Sequence, residues 1–294
     1  MTDHSGFTVP TEAPAVRAPR KRLPGKARFG LAIIALYVLA GVFGPMLLPF
    51  DPDAANILQR LRPPSAQHWL GTDQLGRDFL VRLLYAIRID LPVAFLAAFF
   101  PMLIGTALGA VAGFFGRIPD IVVSRSADIV QAFPVYVFLL VLVFALGSGA
   151  TSFILAATVI AWVGYARLVR GEVMRLREME FVAAARVSGL PPMRILATHV
   201  LPNALPQTLI YFMSDIVLMV LVLSSLSFLG VGIQPPLADW GSMVRDLAGF
   251  INFASMNFSL AALPLLAAGA IALLTIAVNF VVDWMLHRSS GLKE

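Results

Sequence analysis

Three lysines, four histidines and no cysteine leave this sequence few routes to covalent or metal chemistry. A phosphate-binding loop needs a lysine directly after a glycine-rich turn, and Lys21, Lys26 and Lys293 stand in no such setting. His4, His68, His199 and His287 are too scattered to share a metal. Gly241 and Ser242 lack the flanks of a nucleophile elbow, and no histidine stands where a serine hydrolase would need one. The segment best equipped for another kind of chemistry is residues 172–206, EVMRLREMEFVAAARVSGLPPMRILATHVLPNALP. This segment is amphipathic and arginine-rich, and Gly189, Pro191 and Pro192 break it near its middle. Its chemistry is that of non-covalent docking: cations and apolar side chains carried on a hard corner. The expectation is a protein that is not an enzyme, binds no cofactor itself, and addresses a soluble partner.

The elements that carry this segment are apolar. Of the residues 59% are hydrophobic and 13% charged, and the mean hydropathy is +0.83. Six runs, 29–48, 91–113, 127–146, 151–168, 208–229 and 258–282, are long enough, or nearly so, to cross a bilayer as helices. They lack the strict alternation of a β-barrel. The expected fold is therefore an all-α membrane protein with six transmembrane helices. Basic residues cluster before the first run, between runs two and three, between four and five, and after the last, which puts both termini on the cytoplasmic side. The net charge of +5 reflects that topology, and no nucleic-acid-binding module accompanies it. Residues 1–28, with Pro10, Pro14, Pro19 and Pro24, are expected to be a disordered basic tail. No small-residue cleavage site follows, so the first run is expected to be retained. The division is then a first helix and external loop over 29–90, a five-helix core over 91–287 containing the projecting loop 168–207, and a short tail over 288–294.

Within these elements, the loop 50–90 is expected to turn at Gly71 and Gly76 and to end in an interfacial helix with Asp78, Arg82 and Arg88 facing water. Asp78 and Arg82 are spaced for an i,i+4 pair worth about 0.3 kcal/mol. Gly105, Gly109 and Gly113 form a small-residue face, suited either to packing inside one bundle or to contact with a second subunit. Pro134 and Pro264 are expected to kink their helices. Asp215, inside the fifth run, either lines a cavity or is paired structurally, and Asp283 is a boundary residue. In the projecting segment one helix is expected over 172–187, with Met174, Leu176, Phe181 and Ala185 as its apolar stripe. Gly189 ends it, Pro191 and Pro192 turn the chain, and a second short helix covers 192–199.

Three sequence blocks carry a resemblance: HWLGTDQLGRD at 68–78; FVAAARVSG with HVLPNALP at 181–189 and 199–206; and LSFLGVGIQPPLADWGSM at 226–243. Asn279 with Asp283 adds a weaker one. The chain resembles the C-type permease subunits of the ATP-binding-cassette importers for dipeptides, oligopeptides and nickel. Ala183 stands where that family's cytoplasmic loop has glutamate, His199 where it has isoleucine, and Val282 where the branch often has glycine. The resemblance implies a type I importer permease fold in the inner membrane, working as a heterodimer with a homologous B-type permease. It implies two ATP-binding subunits that use ATP and magnesium, and an external substrate-binding protein. It makes Ala184, Ala185, Gly189, Leu190, Pro191, Pro192, Met193, Arg194, Leu201 and Pro202 the ATPase-coupling loop. It turns Gly71, Asp73, Gly76, Pro235, Pro236, Asp239 and Trp240 toward the binding protein, and small peptides become the expected cargo, with nickel chelates or another small solute as the alternative. An ATPase-independent secondary transporter would show inverted repeats or a broken midplane helix, and neither is clear. A scaffold without a pathway is the remaining reading.

Overall fold

The computed structural model describes residues 23–47, 51–248 and 258–290. The expected tail falls mostly on residues 1–22, outside the described residues, as do 291–294. Ten α-helices follow in order: α1 Gly25–Leu47, α2 Phe79–Phe115, α3 Arg117–Gln131, α4 Val135–Leu146, α5 Ala150–Leu176, α6 Glu180–Val187, α7 Pro192–Ile195, α8 Leu201–Phe228, α9 Trp240–Ala248 and α10 Phe258–Ser290. Five stretches are long and apolar enough to cross a membrane: within α1, α2, α5 and α10, and from α7 through α8.

The third apolar run departs from expectation. It is no single kinked helix, because α3 and α4 meet at an angle of 83° and reach spanning length only as a pair. Pro134 is the cause: it disfavours helical geometry at Phe133 and lacks an N–H, so it stands outside α4 as its N-cap with ψ 123°. Helix boundaries also differ. Asp78 caps α2 by accepting a hydrogen bond from the Val81 N–H at 3.0 Å, and the helix then runs unbroken for 37 residues, about 55 Å. The interfacial helix and the second span are one element, so a division at residue 90 falls inside it.

The bundle is held by α2 against α5. Added Cβ atoms at Gly105, Gly109 and Gly113 would collide with the α5 backbone at Trp162, Ala166 and Arg170, one contact per turn. The small-residue face is therefore consumed within the chain. Arg177 reinforces the pairing from below, its Nη1 donating to the Gly113 carbonyl at 3.0 Å. That places a cation on the last, otherwise unbonded carbonyls of α2.

α1 packs on α2 and α10, and it contains a defect of its own. Pro45 lies inside the helix without an N–H, which leaves the Gly41 carbonyl without its i+4 donor. Arg88 fills the gap from α2, with Nε donating to the Gly41 carbonyl at 2.5 Å and Nη2 to the Val42 carbonyl at 2.7 Å.

Candidate functional site

The long α2 separates two clusters. At its N-terminal end lie residues 51–78, the 229–239 segment and α9. At its C-terminal end lie the foot of α5, α6 and α7.

The second cluster contains the projecting corner. α5 ends at Leu176, and Arg177–Met179 turns the chain, so the single helix expected over 172–187 is two. α6 closes with a Schellman motif. The Gly189 N–H donates to the Arg186 carbonyl at 3.0 Å, and the Leu190 N–H reaches back to the Ala185 carbonyl at 3.3 Å. Gly189 takes φ +77°, the left-handed conformation that this motif demands. Pro191 then serves as N-cap and Pro192 opens α7 at a position where its missing N–H costs nothing. The second short helix is not separate: α7 passes through a π-helical stretch, Leu196–Val200, into α8 at Leu201 and Pro202.

A satellite core fixes this corner. Val182, Ala185, Ile195, Leu196 and Val200 pack with Ala110 and Phe114 of α2 and Val169, Val173 and Leu176 of α5. The expected apolar stripe was partly wrong: Leu176 and Ala185 are buried, but Met174 and Phe181 are exposed and Val182 takes the inner place. The outer face carries Ala184, Val187, Gly189, Pro191, Pro192, Met193 and Arg194, all exposed. Val187 at 90% and Met193 at 62% relative exposure are apolar side chains held in solvent by a rigid backbone. Arg170 is tied to Asp120 of α3 through two hydrogen bonds of 2.5 and 2.8 Å.

The first cluster is a buried polar network. Asp73 accepts from the backbone N–H groups of Leu75 and Arg77 and from Arg77 Nε at 2.7 Å. Gly76, at φ +72°, passes so close to the Asn56 carbonyl that a side chain has no room. His68 bridges Asp78 at 2.8 Å and Gln59 at 3.0 Å. Arg82 is the hub. Its Nη1 donates to the Pro52 carbonyl at 2.9 Å, to Asp53 at 3.3 Å and to the Pro236 carbonyl at 3.4 Å, while Nε lies 3.6 Å from Asp73. Asp90 accepts from the Trp240 N–H at 3.0 Å, and Trp240 Nε1 donates to the Leu83 carbonyl at 3.2 Å. The Trp240 ring meets Tyr37 of α1 edge-on at 5.9 Å.

These contacts correct several expectations. Asp78 and Arg82 do not face water and do not pair with each other; both are buried, with other partners. Gly71, Asp73, Gly76, Asp239 and Trp240 are buried, and only Pro235 and Pro236 of that set are exposed. The exposed apolar side chains at this end are Ile57, Leu58, Trp69 and Leu237, interspersed with exposed Arg60, Arg62 and Gln67. Burial pushes the Asp239 carboxyl above the usual carboxylate range, against hydrogen bonds from Ser242 that act the other way. Arg82 and Asp90 were missed as linchpins, although Arg82, Ala86 and Asp90 share one helix face at four-residue spacing. Asp215 is 5% exposed and accepts from the Tyr165 hydroxyl at 2.8 Å, a bond that joins α8 to α5.

Comparison with known proteins fits this architecture. Residues 105–290 match the family described as binding-protein-dependent transport system inner membrane component, and residues 26–64 match the N-terminal TM domain of oligopeptide transport permease C. The chain is 37% identical over 220 residues to the oligopeptide transport system permease protein OppC of Bacillus subtilis, covering 75% of this chain and 72% of the relative. It is 37% identical over 225 residues to the dipeptide transport system permease protein DppC of Alkalihalophilus pseudofirmus, covering 76% and 74%. It is 38% identical over 224 residues to the nickel transport system permease protein NikC of Escherichia coli, covering 76% and 81%. In fold it is similar to the MetNI methionine ABC transporter solved in inward-facing conformations. That match has a TM-score of 0.52 and 20% identity, over 70% of this chain and 97% of the other. The chain belongs to the inner-membrane components of binding-protein-dependent transport systems.

Proposed function

We propose that the chain forms, with a homologous permease, the translocation pathway of an importer driven by two separate ATP-binding subunits. In this reading the α6–α7 corner is cytoplasmic, both termini lie on that side, and the buried polar cluster at the far end of α2 is external. The observation that carries the reading is the corner itself. Exposed Val187, Pro191, Pro192 and Met193, flanked by Arg186 and Arg194, stand on a backbone fixed by a Schellman motif and a satellite core. A rigid apolar tip suits a groove in a soluble partner, and the core beneath it joins the tip to α2, α5 and α8. Movement imposed on the tip therefore moves the bundle as a body. Ala183 is exposed where the related loops have glutamate, so docking here relies on apolar contact more than on a salt bridge at that position. ATP and magnesium act in the partner subunits.

The external partner is a substrate-binding protein, seated on Ile57, Leu58, Trp69, Pro235, Pro236 and Leu237. Small peptides are the cargo best supported, since two of the relatives named above carry oligopeptides and dipeptides in their names. The likeness to a nickel permease favours a second reading, a nickel chelate.

The test is co-purification. Met193→Asp and Val187→Asp place charge in an exposed apolar tip and leave the satellite core intact. Each should reduce recovery of the ATP-binding subunits by about tenfold, the loss of one interface anchor. Unchanged recovery with both variants would sink the docking assignment, and ATP-independent uptake by the intact complex would sink the importer reading.

A further inference from the structure

We propose that a groove between α1, α2, α8 and α10 is a phospholipid site, holding one acyl chain along its floor and the phosphate on Arg88. The groove has a volume of about 800 Å³ and an almost wholly apolar lining that includes Ile34, Val38, Phe95, Ile216 and Leu274. Arg88 is the single charged residue in that lining. It stands three residues before Leu91, where the long apolar run of α2 begins, which is the depth of a headgroup and not of the bilayer centre.

The state of Arg88 argues for an anion. Its guanidinium is held by two neutral carbonyls, Gly41 and Val42, and stacks 5.7 Å above the Tyr85 ring. Among the described residues no carboxylate lies within ion-pair distance of it. Nε and Nη2 are committed to α1, and Nη1 makes no hydrogen bond among the described residues. A guanidinium presents five N–H groups and matches phosphate oxygens in pairs. A fixed cation at the mouth of an apolar groove, with donors to spare and no protein counter-ion, is complementary to a phosphate joined to a hydrocarbon tail. A helix of a second polypeptide would fill the groove but leave that charge unanswered. The site is independent of the docking and cargo assignments above.

Arg88 also repairs the Pro45 defect, so its removal alone confounds two roles. Pro45→Ala restores the missing N–H to Gly41 and provides the background in which Arg88 can be replaced without unsealing α1. The intact chain, in its native assembly and in nanodiscs, is photolabelled with phosphatidylglycerol or with diacylglycerol, each bearing a diazirine in one acyl chain. Phosphatidylglycerol should label groove peptides of α1, α2 and α8 about tenfold more than diacylglycerol, the difference expected from losing a charge-assisted contact. Pro45→Ala should keep that preference. Pro45→Ala with Arg88→Gln should bring both lipids to the diacylglycerol level, and Val38→Trp should block both. Equal labelling by the two lipids overturns the proposal, as does labelling confined to other surfaces. Efficient cross-linking of a Val42→Cys variant to a second permease, with no lipid label in the groove, overturns it in favour of a protein occupant.

Discussion

Asp90 and Asp239 show how single residues bind the external end of the bundle together. Both are fully buried, each lies in the other's field, and each has one carboxylate oxygen with no hydrogen-bond partner. Asp90 keeps its place through one bond, from the Trp240 N–H to Oδ2. An amide oxygen can accept that bond as well as a carboxylate can, without the repulsion. Asp90→Asn should therefore leave the thermal midpoint of the purified chain unchanged or raise it. Asp90→Leu should lower stability by about 1.5–3 kcal/mol, the worth of a hydrogen bond to a charged group. Equal loss in both variants would mean that the charge, not the acceptor, holds Trp240. Arg82 obeys the opposite rule, because its charge is matched. Arg82→Met would remove the donor that joins the Pro52 and Pro236 carbonyls and Asp53, while Asp73 keeps Arg77, at a cost of about 1.5–3 kcal/mol for lost hydrogen bonds from a charged group. Loss of the tryptophan fluorescence transition, or a sharp fall in its midpoint, would register it.

At the scale of elements, the α2–α5 contact makes a prediction with two signs. Gly109 meets the Ala166 backbone, with Cα only 2.9 Å from where a Cβ would stand, whereas Gly171 on the exposed side of α5 meets nothing within 4 Å. Gly109→Ala should destabilise by about 1–3 kcal/mol, since two backbones would have to part. Gly171→Ala should stabilise by about 0.5–1 kcal/mol through helix propensity alone. Thermal unfolding in one detergent compares them directly, and a stabilising Gly109→Ala would refute close approach. The same elements show what is legible in one dimension. Apolar runs announced most spans because hydropathy is a local property. Their polar extensions, such as 79–90 of α2 and 172–176 of α5, could be read as helical but not as continuous with the spans, because the hydropathy falls where the helix does not end. The corner at Gly189, Pro191 and Pro192 could be read in advance, since glycine and proline act on their own backbone. The contacts of Arg82 and Trp240 across the fold could not be placed. Each has a partner about 150 residues away, and no spacing rule links Arg82 to Pro236 or Trp240 to Asp90.

For the whole molecule, the question is whether a tip at one end can govern a surface at the other. The path is continuous: tip, satellite core, α2 clamped to α5, and then Arg82, Asp90 and Trp240 at the top of the same α2. Its most sensitive link is Gly189, which holds the left-handed conformation that the Schellman motif demands and where an added Cβ would meet nothing within 4 Å. A side chain there meets open space, so a substitution acts through φ alone. A β-branched residue at φ +77° costs about 1–2 kcal/mol, whereas asparagine visits that region readily. Gly189→Val should insert into the membrane normally and bind the external partner, yet transport less substrate per ATP hydrolysed. Gly189→Asn should restore most of the ratio. The measurement is uptake and hydrolysis in the same proteoliposomes, with wild type, valine and asparagine side by side. A ratio that follows side-chain size, with asparagine as poor as valine, would locate the defect in a steric clash with the partner. A ratio that follows left-handed propensity would locate it in the backbone corner, and so in the rigidity that lets one end of the protein move the other.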